Sequence, residues 1–148
     1  MNIIDLDNQT TLHLDQNVLE QIADSLTCRT IELIITDNVG IAELNAVYRD
    51  KDIPTDVLSF PLENNFEGIV LETMPLGSIV ISADFVKEKA KALGHTLNDE
   101  LSLLFIHGLL HLLGFDHETD NGEMRKKESI IIQAFGLPSS LIVRTEEF

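Results

Sequence analysis

Three histidines late in the chain have the spacing of a metal site. The stretch His107-Gly-Leu-Leu-His111-Leu-Leu-Gly114-Phe-Asp116-His117 holds three of the five histidines in the sequence. On a helix, His107 and His111 lie one turn apart on the same face. Gly114 permits the helix to end and the chain to turn, which brings His117 back toward them. Three imidazoles with an open fourth position suit a catalytic zinc ion; the alternative is a set of core histidines on an apolar helix.

Gly108 stands where zinc peptidases carry a glutamate. The metzincin motif H-E-x-x-H-x-x-G-x-x-H matches this stretch at every fixed position except that one. The missing glutamate is the base that takes a proton from the zinc-activated water, and glycine cannot replace it. Another group must therefore act as the base, or the chemistry is not peptide hydrolysis. Asp116 is a candidate for this catalytic base or for a partner that orients an imidazole; the alternative is a turn or capping residue.

Composition indicates one folded domain over residues 1–148. Hydrophobic residues make up 44% of the 148 positions and charged residues 24%, as in ordinary globular proteins. The one cysteine, Cys28, excludes an internal disulfide framework, and we expect it to be buried. The N-terminus has no basic segment or long apolar run, and the apolar stretch 101–115 is too short to span a membrane. We therefore expect a cytoplasmic protein without a membrane partner.

A formal net charge of −15 argues against a broad basic surface for nucleic acid. Any RNA partner must be held by a local positive patch, by a metal or by another protein. Arg49 and Lys51 form one basic pair, in a polar segment that contains proline. The basic groups at 87–91 and 125–127 are typical of solvated helix faces.

Hydrophobic periodicity and turn signals predict strands and helices without regular βαβ alternation. The predicted strands are 2–6, 30–36, 57–61 and 76–82. Three helices are predicted to begin after Asp15, after Asp37 or Asn38, and at Ser82 or Asp84, and to end near 26, 48 and 94. Two further helices span 97–113, with the histidine pair, and 118–135, while 49–56 is a loop and 63–75 a hairpin excursion. This order predicts an α+β fold with a mixed four-stranded sheet, helices packed on it and the metal-binding helix in the core.

Four segments make the chain similar to the YbeY family, the single-strand-specific metallo-endoribonucleases of bacterial rRNA maturation. They are Tyr48-Arg49-Asp-Lys51-Asp-Ile-Pro-Thr55-Asp56-Val-Leu-Ser-Phe60-Pro61, Leu76-Gly77-Ser78-Ile-Val-Ile-Ser, the histidine stretch, and Gly122-Glu123-Met124-Arg-Lys-Lys-Glu128. The histidine stretch resembles the family's H-G-x-L-H-L-x-G-x-D-H motif. One departure is Ser78, since the family's inner strand usually carries Gly-Asp. Serine either replaces that aspartate as a local hydrogen-bonding residue, or the activity of this chain is weaker.

The resemblance implies that His107, His111 and His117 bind one zinc ion and that Arg49 faces the metal cleft. It also implies an α+β fold and action on the 3′ end of a small-subunit rRNA precursor, with a role in ribosome quality control. The implied partners are single-stranded RNA, the small ribosomal subunit and an assembly GTPase.

Independent chemistry agrees with phosphodiester cleavage. A zinc-activated water is one nucleophile, and the 2′-hydroxyl of the RNA is the alternative. Either route gathers negative charge on phosphoryl oxygens, which the Arg49 guanidinium can bind with paired hydrogen bonds. Lys51 is a candidate for a second contact to the substrate. The alternative for Arg49 is a surface salt bridge to a neighbouring aspartate.

Two other functions compete with the nuclease. A zinc peptidase is disfavoured because Gly108 replaces the catalytic glutamate. A non-enzymatic ribosome-assembly factor would use zinc to stabilise its fold, and such a structural site normally has four protein ligands. His95 or Asp116 would have to be the fourth. Otherwise we expect His13 and His95 to be surface or core residues without a role.

Overall fold

The computed structural model describes residues 2–62 and 74–138. In these ranges the chain forms, in order, β1 (Ile4–Asn8), α1 (Gln16–Leu26), β2 (Ile31–Thr36), α2 (Asn38–Arg49), β3 (Val57–Pro61), β4 (Gly77–Ser82), α3 (Ala83–Leu93), α4 (Leu97–Leu112) and α5 (Glu123–Ala134). Among these residues no helix combines the length and the apolar character that crossing a bilayer requires.

The four strands form one mixed sheet with the order β1-β2-β4-β3. β1, β2 and β4 run parallel, and β3 pairs antiparallel with β4 at one edge, with Val57 opposite Ile81. Because side chains alternate across a strand, Ile31 and Ile79 face the main core. Val80 faces the other side, where it packs with Ile41 of α2. The predicted α+β fold with a mixed four-stranded sheet is confirmed.

Helix α4 runs through the core. It is buried at every position from Glu100 to Leu110, and it contacts β3, β4, α1, α3 and α5. The side chain of Thr96 caps its N-terminus by accepting a hydrogen bond from the Asp99 amide at 3.1 Å. The prediction that the histidine-bearing helix lies in the core is therefore confirmed.

The helix starts match the capping signals, with one correction. Asp15, Asp37 and Ser82 are the N-caps of α1, α2 and α3. The last helix begins at Glu123 and not at the predicted residue 118. Residues 116–120 instead form a turn, in which the amides of Thr119 and Asp120 donate to the carbonyl of Asp116.

Three other expectations either need correction or concern residues outside the described ranges. Cys28 is exposed, contrary to the prediction, because it lies in the short connection between α1 and β2, and such connections run over the surface. The first strand begins at Ile4, two residues later than expected. The predicted hairpin at 63–75 lies, except for its last two residues, outside the described residues.

Candidate metal centre

Helix α4 and the turn that follows it bring the three histidines together. The helix ends in a Schellman motif: the Gly114 amide donates to the carbonyl of His111, and the Phe115 amide donates to that of Leu110, each at 3.0 Å. Gly114 has φ 101°, a backbone conformation that favours glycine. The chain reverses there and carries His117 back to the helix.

The three imidazoles form a compact group. Ring centroids are 4.7 Å apart for His107 and His111, 5.2 Å for His107 and His117, and 5.5 Å for His111 and His117. One nitrogen from each ring lies within 4.8 Å of the others, an arrangement that could hold a metal ion. His107 is buried and the other two are half-buried.

Hydrogen-bond partners fix which nitrogen each ring turns to the centre. Nδ1 of His111 donates to the carbonyl oxygen of Phe115 at 3.0 Å, and Nδ1 of His107 donates to the Glu128 carboxylate at 2.7 Å. With these Nδ1 donors and both rings in the neutral form that binds metal, the lone pairs of the Nε2 atoms face each other across 3.1 Å. Tetrahedral zinc, with Zn–N bonds of about 2.0–2.1 Å, separates two ligand nitrogens by about 3.3 Å. A cation between these atoms removes the repulsion, so the residues present fit a zinc ion.

The third histidine supports the same conclusion. Nδ1 of His117 is buried and has no hydrogen-bond partner among the described residues. A buried nitrogen of this kind is costly unless something satisfies it. A metal ligand has such an unpaired nitrogen before the metal arrives.

Electrostatics keeps His111 in the form that binds metal. Burial, and then repulsion from His107, lower the pKa of His111 below its usual value of 6.5. The hydrogen bond to the Phe115 carbonyl raises this pKa, but it offsets the effects of burial and of His107 only in part. Metal ligation needs neutral imidazole, so the neutral form is favoured near pH 7.

Glu128 is a site residue that sequence reasoning assigned no role. It lies on α5 with only 1% of its surface exposed, and its carboxylate holds the Nδ1–H of His107. Such a carboxylate partner fixes the tautomer of a metal-binding histidine and raises its basicity. The signal was available: Glu128 follows Met124 by four residues and precedes Ile132 by four, so an acid occupies the apolar face of the helix.

The histidines open onto a cleft of about 560 Å³. Its lining combines the three histidines with residues of the end of α2 and the loop after it, of strand β3 and of the turn after α4: Arg49, Thr55, Asp56, Val57, Ser59, Pro61, Gly114, Phe115, Asp116 and Glu118. Arg49, which the resemblance expects at the metal cleft, is one of the lining residues. Lys51 is exposed and is not part of this lining.

Asp116 is both a turn residue and a cleft residue. Its Oδ1 accepts a hydrogen bond from the Glu118 amide at 3.0 Å, which agrees with the turn alternative. Among the described residues neither Asp116 nor His95 joins the three histidines as a further metal ligand. The structural-zinc alternative required a fourth such ligand. His13 is exposed and His95 half-buried, both outside the group.

Gly108 is glycine because α4 packs closely on the sheet. A Cβ atom at this position would lie 2.9 Å from Ile79 Cγ2 and 3.2 Å from Ser59 Oγ. The Gly108 carbonyl also accepts a hydrogen bond from the Ser59 hydroxyl at 3.1 Å. A glutamate side chain has no room here, so the site does not have the geometry of a zinc peptidase.

Ser78 lies away from this centre. Its neighbours Gly77 and Ile79 are buried, and Ile79 faces the metal helix, so Ser78 points to the opposite side of β4. There its hydroxyl donates to the Glu32 carboxylate at 2.8 Å. The replacement of the family's aspartate therefore leaves the metal centre untouched.

Comparisons with known proteins agree with this geometry. The family described as Endoribonuclease YbeY matches residues 2–136 of the chain. A protein named Endoribonuclease YbeY from a Sulfurovum species is 69% identical over 144 residues, covering 97% of this chain and 98% of the relative. One of the same name from Sulfurimonas denitrificans is 58% identical, covering 97% and 99%. A solution structure from Thermotoga maritima is similar, with a TM-score of 0.58 and 28% identity over 89% of this chain and 88% of that one. The chain therefore belongs to the YbeY endoribonuclease family.

Proposed function

We propose that the chain is a metal-dependent endoribonuclease that cuts single-stranded RNA, with one zinc ion held by His107, His111 and His117. One observation carries the proposal. Two imidazole Nε2 atoms face each other at 3.1 Å inside a cleft that Arg49 also lines. A cation held by these atoms would lie in the same cleft as a residue suited to phosphate, and relatives bear the name endoribonuclease.

The chemistry divides among a few side chains. Bound zinc would supply a Lewis acid that polarises a phosphoryl oxygen or makes water a better nucleophile. The Arg49 guanidinium would bind phosphoryl oxygens through paired hydrogen bonds and stabilise their charge in the transition state. The Asp116 carboxylate, on the wall of the cleft, would accept the proton of the attacking hydroxyl. Lys51, outside the cleft lining, would contact a phosphate further along the strand.

In the cell we infer that the substrate is the 3′ end of a small-subunit rRNA precursor in the cytoplasm. The small ribosomal subunit and an assembly GTPase would be the partners, and ribosome quality control the process. A chain with net charge −15 is repelled by RNA at long range. A partner protein that holds the chain at its substrate would offset this repulsion.

The test is cleavage of a single-stranded RNA by zinc-loaded protein, with His111→Ala and Arg49→Ala beside it. Lys91→Ala removes an exposed charge of α3 and serves as the control. We expect full activity in wild type and control, and loss of zinc and activity in His111→Ala. Arg49→Ala should keep its zinc and lose about 10²–10³-fold in rate, as for other groups that stabilise transition-state charge. Equal cleavage by all four would identify a contaminant. No cleavage by any would favour the non-enzymatic assembly factor.

A further inference from the structure

Tyr48 presents an exposed aromatic ring beside the cleft. It is 65% exposed, and no other aromatic side chain among the described residues is as accessible. The ring is not loose, because it packs on Phe60 with centroids 5.0 Å apart and planes at 57°. One side of the ring is thus supported while the rest meets solvent.

The ring lies across the sheet edge from the metal centre. Tyr48 directly precedes Arg49, and Phe60 stands between Ser59 and Pro61. Arg49, Ser59 and Pro61 line the cleft. Alternation along β3 turns Phe60 to the opposite face from those two neighbours. Since β3 is an edge strand, a flexible chain leaving the cleft at Arg49 can cross this edge and reach Tyr48.

The segment after Tyr48 is held in place. Asn45, which is buried, donates from Nδ2 to the carbonyl of Ile53 at 3.0 Å and accepts from the Lys51 amide at 3.2 Å. These two bonds close the loop onto α2. The position of the ring is therefore largely set before any ligand arrives, which lowers the entropic cost of binding.

The surroundings of the ring combine apolar surface with two cations, which alternate with Asp50 and Asp52 along the chain. Val47 and Ile53 are 75% and 59% exposed, while Arg49 and Lys51 supply two cations in the same segment. Unpaired bases stack on aromatic rings, and cations hold the phosphates between them. An apolar protein segment would use the valine and isoleucine but would leave the two cations without a role.

We propose that Tyr48, supported by Phe60, is a stacking platform for an unpaired base of the RNA strand whose phosphate lies at Arg49. The proposal rests on the proposed function, because it uses the same substrate. It makes Tyr48 a determinant of preference for single-stranded RNA, since a base held in a duplex cannot stack on the ring.

The composition of the chain offers a direct test. The sequence has one tyrosine and no tryptophan, so tyrosine emission reports Tyr48 alone. Stopped-flow mixing with a single-stranded oligoribonucleotide should quench this emission before cleavage accumulates. A duplex of the same sequence, or a strand with abasic sites, should leave it nearly unchanged. Unquenched emission at saturating single-stranded RNA would overturn the proposal and favour a protein partner for this surface.

Substitution supplies the second arm. Tyr48→Ala should weaken binding of the single strand by about 5- to 150-fold, the loss expected for one stacked base, and should raise KM more than it lowers kcat. Tyr48→Phe and Tyr48→Trp should bind nearly as wild type does. Val39→Ala, at a comparably exposed apolar position of α2, is the control. Wild-type affinity in Tyr48→Ala would refute the stacking of a base on Tyr48. Quenching of the tyrosine emission without RNA cleavage would instead refute the proposed activity and still support base stacking.

Discussion

Replacing Gly108 by alanine should destabilise this protein, although the same change stabilises an ordinary helix. In an open helix, alanine is favoured over glycine by about 1 kcal/mol. At this position the new Cβ would lie 2.9 Å from Ile79 Cγ2 and 3.3 Å from Val57 Cγ2. Ile79 lies on β4 beneath α4 and is completely buried, so its methyl group cannot swing into solvent. Helix α4 would have to shift instead.

The magnitude follows from three terms. Overpacking of a core costs about 1–3 kcal/mol. The hydrogen bond from Ser59 to the Gly108 carbonyl, worth about 1 kcal/mol, would be disturbed by a Cβ 3.2 Å from the hydroxyl. These losses exceed the gain of about 1 kcal/mol in helix propensity. We expect the free energy of unfolding to fall by about 1–3 kcal/mol, each kcal/mol lowering Tm by about 2–4 °C for a chain of this size.

Urea unfolding of metal-free protein measures this change without the added stability of bound zinc. The matched control is an Ile79→Ala background, which lacks the Cγ2 methyl group. There Gly108→Ala should become neutral or stabilising. If Gly108→Ala alone raised the free energy of unfolding by about 1 kcal/mol, the close contact of α4 with β3 and β4 would be refuted.

Two further predictions concern the metal ligands. Glu128→Ala should weaken zinc binding by about 10- to 100-fold, as loss of such partners does, and Glu128→Gln by less, because its amide oxygen still accepts from His107. Chelator competition measures the zinc affinity of both variants, and Glu88→Gln, at an exposed position, is the control. Equal zinc affinities in all of these proteins would contradict the role of Glu128 in supporting His107. In metal-free protein the lowered pKa of His111 means that the unfolded chain binds more protons below pH 6.5. The free energy of unfolding should therefore fall as the pH drops below 6.5, and His111→Gln should make it depend less on pH. If this variant kept the wild-type slope of stability against pH, His111 would not be the group responsible.

The local sequence pattern was enough to predict an element where one of its faces is buried and turn or capping residues mark its ends. Strand β3 has the predicted bounds, 57–61, because Pro54 and the polar loop precede it and alternating side chains follow. Helix α4 ends one residue before the prediction, since Gly114 marks its stop. The histidine cluster was predictable for the same reason: helical spacing and one turn determine it.

The start of helix α5 and the partner of His107 were not predicted. Helix α5 starts late because Asp120 caps it from outside, its carboxylate accepting from the Gly122 and Met124 amides. Those amides also lower the pKa of Asp120. Nothing in the local sequence separates such an aspartate from a first-turn acid. Glu128 is recognisable in the sequence as an acid on the apolar face of α5, but its partner His107 lies 21 residues away and is brought to it by the packing of α5.

His107 and Gly108 together fix the position of helix α4 at the candidate metal site. The two residues are adjacent, yet His107 is bound to Glu128 of α5 while Gly108 is bound to Ser59 of β3. The contacts come from two different elements, so they oppose both rotation of α4 about its axis and its movement away from the sheet. The separation of 3.1 Å between the Nε2 atoms of His107 and His111 is therefore a product of core packing. Gly108→Ala should then lower zinc affinity along with stability, because a shift of the helix displaces both ligands from His117.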